Sequence, residues 1–471
     1  MSLRVAFRTL GCRLNQYETE AVASELRAAG HRIVPFEEEA DYYVINTCTV
    51  TGSADRKSRN LMYRALRTAR EGDGDRPAAR DREGGRVRPT VVVTGCYAQL
   101  HAEGLRAQER GGEDSLLVVD NEAKADLPSL LAAHSRGERP APRRDRFGFR
   151  PADTVFRTRA FVKIQDGCDE FCTYCIVPYV RGRAISRPVE EVLAEVRHHL
   201  SRGALEIVLT GVNLGRYRAG NVDFPQLVSR VLAELPTAAR DAGRRLRISS
   251  LEPDGLDHRF SALFEDPRLL PHVHLCLQSG SDRVLQRMGR RYRVEDFRRI
   301  AGDLRAVDPA FNITTDIIVG FPGETEEDFH ASVAVARELE LGHIHTFPYS
   351  PREGTPAAGF SGTVDRRVTA DRSRILRDLA EELTRRTYER LVGMTDEVLV
   401  EKIEAASRPA PTEAAPEEPA GQAAAARGYG RYYAPVIIPN GSLEANRVYR
   451  AHLRDVVETQ GGTAVVGEPT Q

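Results

Sequence analysis

Long apolar runs are absent from the sequence. No stretch approaches the ~18 consecutive apolar residues that a membrane-spanning helix needs. The opening residues MSLRVAFRTLGC lack the basic and then apolar pattern of a secretory leader. These two absences argue against a helical membrane protein and against a secreted one, so we expect a cytoplasmic protein with no membrane partner.

Cysteine is scarce, and its number is odd. Seven cysteines in 471 residues do not make a disulfide framework. The reducing cytosol disfavours disulfides in any case. Metal ligation is therefore the better hypothesis for these residues.

An excess of either charge is also missing. The 67 Lys and Arg residues nearly balance 68 Asp and Glu residues, which gives a formal net charge of −1. Any surface for nucleic acid must therefore be local. With 41% hydrophobic and 29% charged residues the chain can bury a sizeable core. At ~150 residues per domain, the length suggests about three domains.

Residues 1–135 alternate apolar runs with helical patterns, as in VAFRTL, YYVINT and TVVVTG. This alternation predicts an N-terminal α/β domain built on a doubly wound parallel sheet. Residues 136–153 form a predicted linker rich in arginine, proline and glycine. This linker is either a solvated tether or an arm that contacts RNA.

Six apolar strands recur between residues 154 and 388, at AFVKI, EIVLT, LRISS, VHLCL, TDIIVG and HIHTF. With helices between them, they predict an open, partial (βα)6 barrel. Strand patterns over residues 389–460 predict a small C-terminal β-barrel, and residues 461–471 are predicted to be a tail. Polar segments at 71–89 and 404–426 are predicted to be surface insertions.

Three cysteines, which we call the loop triad, form a C-x3-C-x2-C motif in GCDEFCTYC. They are Cys168, Cys172 and Cys175. Three thiolates leave one iron of a 4Fe–4S cluster open to bind a substrate. Structural zinc is the alternative, but it prefers four closed ligands, and this loop offers neither a fourth cysteine nor a histidine. The motif therefore favours an iron–sulfur cluster.

Three further cysteines, the N-terminal triad, are far apart in sequence. Cys12, Cys48 and Cys96 each directly follow an apolar run, in RTLGC, VINTC and VVTGC. The carboxyl ends of parallel strands line one crevice, where ligands usually bind. The three thiols are therefore expected to converge there, although independent core packing is an alternative. Cys276 lies in the strand pattern VHLCL and is expected to be a core residue.

Two pairs of histidines stand two residues apart in predicted strands. His272 and His274 form one pair, and His343 and His345 form the other. Residues at this spacing share one face of a strand. Metal binding by these pairs is conceivable, but histidines with satisfied hydrogen bonds inside the barrel are the expected interpretation.

The segment GCDEFCTYCIVPYVRGRAISRP resembles the cluster loop of the radical S-adenosylmethionine methylthiotransferases, and the resemblance extends over nearly the whole chain. It implies that the loop triad holds a 4Fe–4S cluster whose free iron binds S-adenosylmethionine. It also implies that the N-terminal triad holds a second 4Fe–4S cluster, which supplies or relays sulfur. Cofactor contacts are implied at Gly211 and Asn213 in TGVNLG and at Gln278 and Ser279. No catalytic side chain beyond the cluster ligands is implied.

The C-terminal segment resembles the small RNA-binding β-barrel, or TRAM domain, of these enzymes. Residues 427–454 contain five Arg and one Glu. Arginine neutralises phosphate and tyrosine stacks on unpaired bases, which fits an RNA surface. An ordinary tyrosine-rich barrel surface is the alternative. The tyrosines concerned are Tyr429, Tyr432, Tyr433 and Tyr449.

The opening TLGCRLNQYETEA, with Tyr17, Glu18, Thr19 and Glu20, resembles one subfamily in particular, as does RISSLEP at 247–253. That subfamily converts N6-threonylcarbamoyladenosine beside the tRNA anticodon to its 2-methylthio derivative. Sister subfamilies act on isopentenyladenosine or on a ribosomal-protein aspartate. The resemblance implies tRNA, an electron donor and a sulfur source as partners. An iron–sulfur RNA-binding or sensor protein without catalysis is the alternative of another class.

Overall fold

The computed structural model describes residues 2–71, 89–110, 115–152, 158–236, 243–404, 425–439 and 443–470. The predicted insertions at 71–89 and 404–426 therefore lie, apart from their end residues, outside the described residues. The chain divides into two compact units. Unit 1 comprises Met1–Arg202, Leu209–Val222 and Ser350–Phe360, and unit 2 comprises Gly203–Val208, Asp223–Tyr349 and Ser361–Gln471.

Unit 1 contains a five-stranded sheet in the order β2-β1-β3-β4-β5. Its strands are β1 (Arg4–Thr9), β2 (Arg32–Val34), β3 (Tyr42–Thr47), β4 (Thr90–Gly95) and β5 (Leu116–Val118). Every neighbouring pair is parallel, which confirms the predicted doubly wound sheet. The chain reverses direction across the sheet between β1 and β3, and ligands usually bind at such a switch point.

Helices cover both faces of this sheet. Alternate strand residues point to opposite faces, and the residues on each face pack into a separate apolar cluster with helices. Tyr42 and Val44 belong to one apolar cluster, whereas Tyr43 and Ile45 belong to another. The helices are α1 (Arg13–Ala28), α2 (Gly52–Glu71), α3 (Cys96–Leu100), α4 (Ala102–Arg110) and α5 (Leu127–His134).

The predicted linker is packed onto unit 1. Residues 136–152 contain no helix or strand, but Phe149 and Ala152 are buried in the first apolar cluster of the sheet. The Arg143 backbone N–H and Nε both donate to Asp126, at 2.7 and 2.8 Å. These contacts fix the segment against the N-terminal fold.

The rest of the chain before the C-terminal barrel alternates strands and helices. The strands are β6 (Ala160–Lys163), β7 (Gln165–Asp166), β8 (Ile185–Ser186), β9 (Glu206–Thr210), β10 (Arg218–Ala219), β11 (Val222–Asp223), β12 (Arg245–Ile248), β13 (Ser250–Leu251), β14 (His272–Leu275), β15 (Asn312–Val319) and β16 (His343–Pro348). The helices are α6 (Val177–Arg181), α7 (Val189–Ser201), α8 (Phe224–Glu234), α9 (His258–Ala262), α10 (Asp282–Arg287), α11 (Val294–Val307), α12 (Glu326–Glu338) and α13 (Arg366–Glu389). All six predicted barrel strands are present. Within unit 2, β13, β14, β15 and β16 form a parallel sheet in that order.

A closed five-stranded barrel ends the chain, in the order β17-β18-β19-β21-β20. Its strands are β17 (Thr395–Glu404), β18 (Ala425–Tyr429), β19 (Pro435–Pro439), β20 (Arg447–Thr459) and β21 (Gly462–Pro469). The prediction that residues 461–471 form a tail is therefore wrong, because β21 covers Gly462–Pro469. GTAVVGEP contains few apolar residues and gives a weak strand signal, but β21 covers the edges of β19 and β20 that would otherwise be open.

The barrel tyrosines pack inside unit 2. Tyr433 stacks on Tyr429 and His272, with ring centroids 4.9 and 4.6 Å apart, and Arg247 lies 4.7 Å from the Tyr433 ring centroid. Tyr432 is 6% exposed. The prediction that the barrel tyrosines offer stacking faces to RNA is therefore wrong for Tyr432 and Tyr433. Tyr429 and Tyr449 are half-buried, and for these two it stays a prediction.

None of the helices in the described ranges has the length and mean hydropathy needed to span a bilayer.

We predict that Gly95→Ala destabilises the protein more than Gly30→Ala. Both glycines have positive φ, +94° and +86°, where a side chain costs about 1–2 kcal/mol. A Cβ at Gly95 would lie 2.5 Å from the Thr47 backbone nitrogen, whereas nothing lies within 4 Å of a Cβ at Gly30. The clash adds about 1–3 kcal/mol at Gly95. Thermal unfolding measures the difference, and equal shifts in the two variants would contradict the packing.

Candidate functional site

The N-terminal triad lies at one edge of the unit 1 sheet. Cys12 follows the end of β1, Cys48 directly follows β3, and Cys96 is the first residue of α3, directly after β4. The strand ends are level because Thr9 is paired with Asn46 in register, and Thr47 with Gly95. The structure therefore brings these three thiols to the carboxyl edge that includes the switch point between β1 and β3.

Glycines allow the cysteine-bearing loops to approach closely. Gly11 has a φ of +94°, and a Cβ there would lie 2.8 Å from Cys48 Cβ and 2.9 Å from Cys48 Sγ. Cys48 therefore packs directly against the backbone that carries Cys12. Any larger residue at Gly11 would separate the two loops.

Burial disfavours negative charge on two of these thiols. Burial, together with the nearby thiols of Cys96 and Cys12, raises the pKa of Cys48 to about 11. Burial also raises the pKa of Cys96, although Arg181 acts in the opposite direction. Thiols that converge become thiolates together only if a cation offsets their charge. This donor set fits a metal or an iron–sulfur cluster.

The loop triad lies on a short turn between β7 and α6. The Cys175 N–H donates to the Cys172 carbonyl at 2.9 Å, and the Cys168 N–H donates to the Gly182 carbonyl at 3.1 Å. Gly167 has a φ of +70°, and a Cβ there would collide with the Arg183 carbonyl. The loop is thus closed by its own backbone. Three thiols held on one turn fit three corners of a 4Fe–4S cluster and leave the fourth iron open.

Helix α6 connects the two triads inside unit 1. Ile176 directly follows Cys175 and, together with Val180, packs against Cys96. Asn121 Nδ2 donates to the Val180 carbonyl at 2.8 Å, which fixes the helix from the other side. Unit 1 therefore carries both triads, whereas Cys276 lies in unit 2. Cys276 is buried one residue beyond β14, in agreement with a core role.

A buried carboxylate, Glu18 on α1, lies behind the N-terminal triad. It is 2% exposed and pairs with Lys124 at 2.5 Å, Lys163 at 3.1 Å and Arg181 at 3.1 Å. Arg181 also pairs with Asp166 at 2.9 Å. We call these five residues the ionic cluster. Burial alone would raise the pKa of Glu18, but the three cations hold it well below its ordinary value.

Asparagines link the ionic cluster to the cysteine loops. Arg181 donates to Asn15 Oδ1 at 2.7 Å. Asn15 Nδ2 in turn donates to the carbonyls of Leu10 and Thr47, at 2.9 and 3.0 Å. These carbonyls lie just before Cys12 and Cys48. The position of Arg181 therefore determines the backbone that presents two of the three thiols.

The ionic cluster carries a surplus of positive charge. It contains three cations and two carboxylates, and all five side chains are buried. Burial opposes the charge on Arg181, but Glu18 and Asp166 raise the pKa of Arg181 well above its ordinary value. A net positive charge behind the triad favours anionic ligands at this edge of the sheet.

Only part of this cluster could be recognised from the sequence. Glu18 stood out as a subfamily marker and not as a buried charge. Lys163 falls within the apolar strand pattern AFVKI, which is a recognisable anomaly because an unpaired lysine is almost never fully buried. Lys124, in a polar segment, carries no signal of burial.

The loop that contains Gly211 and Asn213 is held by Gln165. Gln165 Oε1 accepts hydrogen bonds from the N–H groups of Val212 and Asn213, at 2.9 and 2.8 Å. Its Nε2 donates to the Gly167 carbonyl at 2.7 Å, next to the loop triad. Asn213 is 3% exposed, and its Oδ1 has no hydrogen-bond partner among the residues that the structure describes. A buried acceptor of this kind fits a ligand that donates a hydrogen bond.

Gln278 and Ser279 lie in unit 2, on the segment after β14. Gln278 has a φ of +64°, and its N–H donates to the Asp316 carbonyl at 2.8 Å. Ser279 is fully buried, and its Oγ accepts from the Ser281 N–H at 3.2 Å. The Ser279 hydroxyl is thus engaged in the interior of unit 2. The strained backbone at Gln278 is the more notable feature of this pair.

We predict that Glu18→Gln strongly destabilises unit 1. The change takes the carboxylate partner from the buried Lys124 and leaves Lys163 and Arg181 to share Asp166. Breaking a buried ion group in this way costs about 3–5 kcal/mol. The matched control is Glu37→Gln, which removes a carboxylate from an exposed pair with Arg8 and costs less than about 1 kcal/mol. Thermal unfolding of both variants checks this difference. Similar melting of the two variants would contradict the role assigned to Glu18.

Comparisons with known proteins agree with this site. Residues 162–336 match the Radical SAM superfamily, and residues 4–117 match the uncharacterized protein family UPF0004. The radical S-adenosylmethionine methyltransferase TsrM from Kitasatospora setae has a similar structure. Its TM-score is 0.51 at 15% identity, over 76% of this chain and 75% of that one. This likeness shows the fold.

Two curated relatives cover most of the chain. The threonylcarbamoyladenosine tRNA methylthiotransferase MtaB of Thermotoga maritima is 34% identical over 403 residues, which is 84% of this chain and 86% of the relative. The Bacillus subtilis protein of the same name is 38% identical over 392 residues, 81% of each. Membership of the Radical SAM superfamily implies S-adenosylmethionine and a 4Fe–4S cluster as cofactors. The resemblance found in the sequence is confirmed, and the chain belongs to the MtaB family of tRNA methylthiotransferases.

Proposed function

We propose that this protein converts N6-threonylcarbamoyladenosine beside the anticodon of tRNA to its 2-methylthio derivative. The observation that carries the proposal is the presence of two separate cysteine triads in unit 1, connected by α6. A methylthiotransferase needs one site that activates S-adenosylmethionine and one that provides sulfur. Two triads, each with an open coordination position, match these two needs. The names of the curated relatives support the substrate.

The reaction explains why such cofactors are needed. The C–H bond at carbon 2 of adenosine is neither acidic nor next to a leaving group, so acid–base and nucleophilic catalysis have no means of attack. When bound, S-adenosylmethionine and the clusters supply the sulfur atom, the methyl group and the radical that removes the hydrogen. The protein binds these groups, orients them and excludes water.

We assign the loop triad, Cys168, Cys172 and Cys175, to the cluster that binds S-adenosylmethionine. Gln165 connects the backbone beside this triad with the loop of Gly211 and Asn213. The buried Oδ1 of Asn213 has no hydrogen-bond partner in the part of the chain that the structure describes, and this supports a contact with the cofactor's amino group. Gln278 and Ser279 remain proposed contacts in unit 2.

We assign the N-terminal triad, Cys12, Cys48 and Cys96, to a second 4Fe–4S cluster that delivers sulfur. Its convergence at the switch point of the sheet and the surplus positive charge of the ionic cluster support this assignment. Three thiolates and a sulfur ligand are all anionic, and the buried cations lower the energy of such a group.

The proposed partner is tRNA, and the proposed location is the cytoplasm. The C-terminal barrel is the proposed RNA-binding domain. Since Tyr432 and Tyr433 pack inward, RNA contact would depend more on exposed arginines such as Arg447 and Arg454, which pair with Glu444 and Glu468. Turnover also requires an electron donor and a sulfur source, because the clusters must be reduced and resupplied.

Expression of the protein in a host without methylthiotransferases should produce 2-methylthio-N6-threonylcarbamoyladenosine in tRNA. Nucleoside mass spectrometry with and without the gene measures this product. If methylthio-isopentenyladenosine appears instead, the protein is a methylthiotransferase but the proposed substrate is wrong. If neither product forms in a host in which the clusters are assembled, the proposed tRNA activity is wrong.

Alanine variants of the two triads should separate the two roles. Replacing the loop triad should abolish reductive cleavage of S-adenosylmethionine to 5′-deoxyadenosine. Replacing the N-terminal triad should spare this cleavage and stop sulfur insertion. Cys276→Ala, which changes a buried cysteine in unit 2, is the matched control and should keep both activities. Cleavage that persists without the loop triad would overturn the assignment.

A further inference from the structure

The polar face of the unit 2 sheet carries a cluster that the proposed reaction does not use. Strands β14, β15 and β16 place His274, Asp316 and His345 on one face, because His274 pairs in register with Thr314, and Asp316 with His345. The residues that alternate with them, Val273, Thr315 and Ile344, are buried on the opposite face. Alternation along the strands thus collects His274, Asp316 and His345 on one face, which we call the polar face.

The three polar side chains converge. His274 Nε2 lies 3.2 Å from Asp316 Oδ1. One donor atom each from His274, Asp316 and His345 lies within 4.8 Å of the others. The rings of His274 and His345 have centroids 5.5 Å apart. Two imidazoles and one carboxylate therefore surround one small volume on the polar face.

A neighbouring hydroxyl orients the buried member of this group. Thr314 Oγ1 lies 3.1 Å from His274 Nδ1. When Nδ1–H donates to this hydroxyl, the lone pair of His274 Nε2 points toward the carboxylate of Asp316. Histidines that bind metals commonly donate their second ring N–H in this way, which fixes the tautomer and the ring orientation. The positions of His274, Thr314 and Asp316 permit that form, and the same hydroxyl also lies 3.3 Å from His272 Nε2.

We propose that His274, Asp316 and His345 bind a divalent first-row metal ion. Nitrogen and carboxylate donors bind such ions at about 2.0–2.2 Å, so two donors 3.2 Å apart already suit adjacent positions around one ion. His345 is the exposed member of the group, and one of its ring nitrogens lies within 4.8 Å of the donor atoms of His274 and Asp316. Three protein ligands leave further positions for water or an oxygen-bearing ligand.

Charge supports a cation at this place. Asp316 is only partly exposed, and its carboxylate lies beside two rings that are neutral when they act as metal ligands. A hydrogen-bonded pair of protonated His274 and Asp316 without a metal is the competing arrangement. The two arrangements differ in what His345 does: it is a ligand in the first and a bystander in the second.

Mn²⁺ is a suitable probe because it prefers oxygen donors such as the Asp316 carboxylate to the thiolates of the two triads. The experiment uses the holoenzyme with both clusters oxidised and diamagnetic, after removal of loosely bound metal on a chelating resin. The electron paramagnetic resonance signal of free Mn²⁺ gives the amount bound by difference. In the spectrum of bound Mn²⁺, ¹⁴N couplings report coordinated imidazole. We expect saturable binding of about one ion per chain, with nitrogen couplings.

The variants decide between the two arrangements. His345→Ala, at an exposed position that tolerates change, should weaken Mn²⁺ binding at least about tenfold and remove part of the nitrogen coupling. His274→Ala should do the same. His330→Ala, at an exposed position on α12 that pairs with Glu326, should bind like the unmodified protein. Absence of saturable binding, or equal affinity in His345→Ala and His330→Ala, would overturn the proposal. Because the measurement requires no turnover, its result is independent of the proposed tRNA reaction.

Discussion

A buried carboxylate that must be surrounded by cations constrains unit 1 more than any other interaction. Glu18 pairs with Lys124, Lys163 and Arg181, which lie 106, 145 and 163 residues away along the chain. A buried ion group of this kind contributes little net stability, since desolvation offsets much of the attraction. Removing the shared carboxylate of Glu18, however, takes the carboxylate partner from Lys124 and leaves Lys163 and Arg181 with Asp166 alone. The cluster therefore stabilises one arrangement of α1, β6 and α6, and these elements carry or flank both cysteine triads.

The chemistry depends on that arrangement. Arg181 directly ends α6, which begins beside the loop triad, and it reaches through Asn15 to the backbone before Cys12 and Cys48. The same five residues leave one positive charge in excess behind the N-terminal triad. A single network thus fixes the position of both triads and favours the anionic ligands that the N-terminal triad would hold. In unit 2, the polar face with His274, Asp316 and His345 has its own fixed geometry, set by strand register.

Local patterns made much of the fold predictable. The parallel sheet and the six barrel strands follow from short apolar runs, and the loop triad is a linear motif. The convergence of Cys12, Cys48 and Cys96 followed from one rule about parallel strands. The ionic cluster was not predictable, because its pairs join distant parts of the chain and Lys124 carries no sequence signal. Strand β21 was not predicted because its sequence contains few apolar residues. The tyrosines near 430 were misinterpreted, since composition does not show that Tyr433 stacks on His272.

The claim that one unit carries two iron–sulfur clusters is tested most directly by iron and sulfide analysis, combined with Mössbauer spectroscopy, of the anaerobically reconstituted protein. The loop triad and the N-terminal triad are each replaced by alanine in separate variants. The account predicts about eight irons in the unmodified chain and about four in each variant, all in 4Fe–4S clusters. An unmodified chain with only about four irons, or a variant that keeps all of its iron after loss of the N-terminal triad, would contradict it.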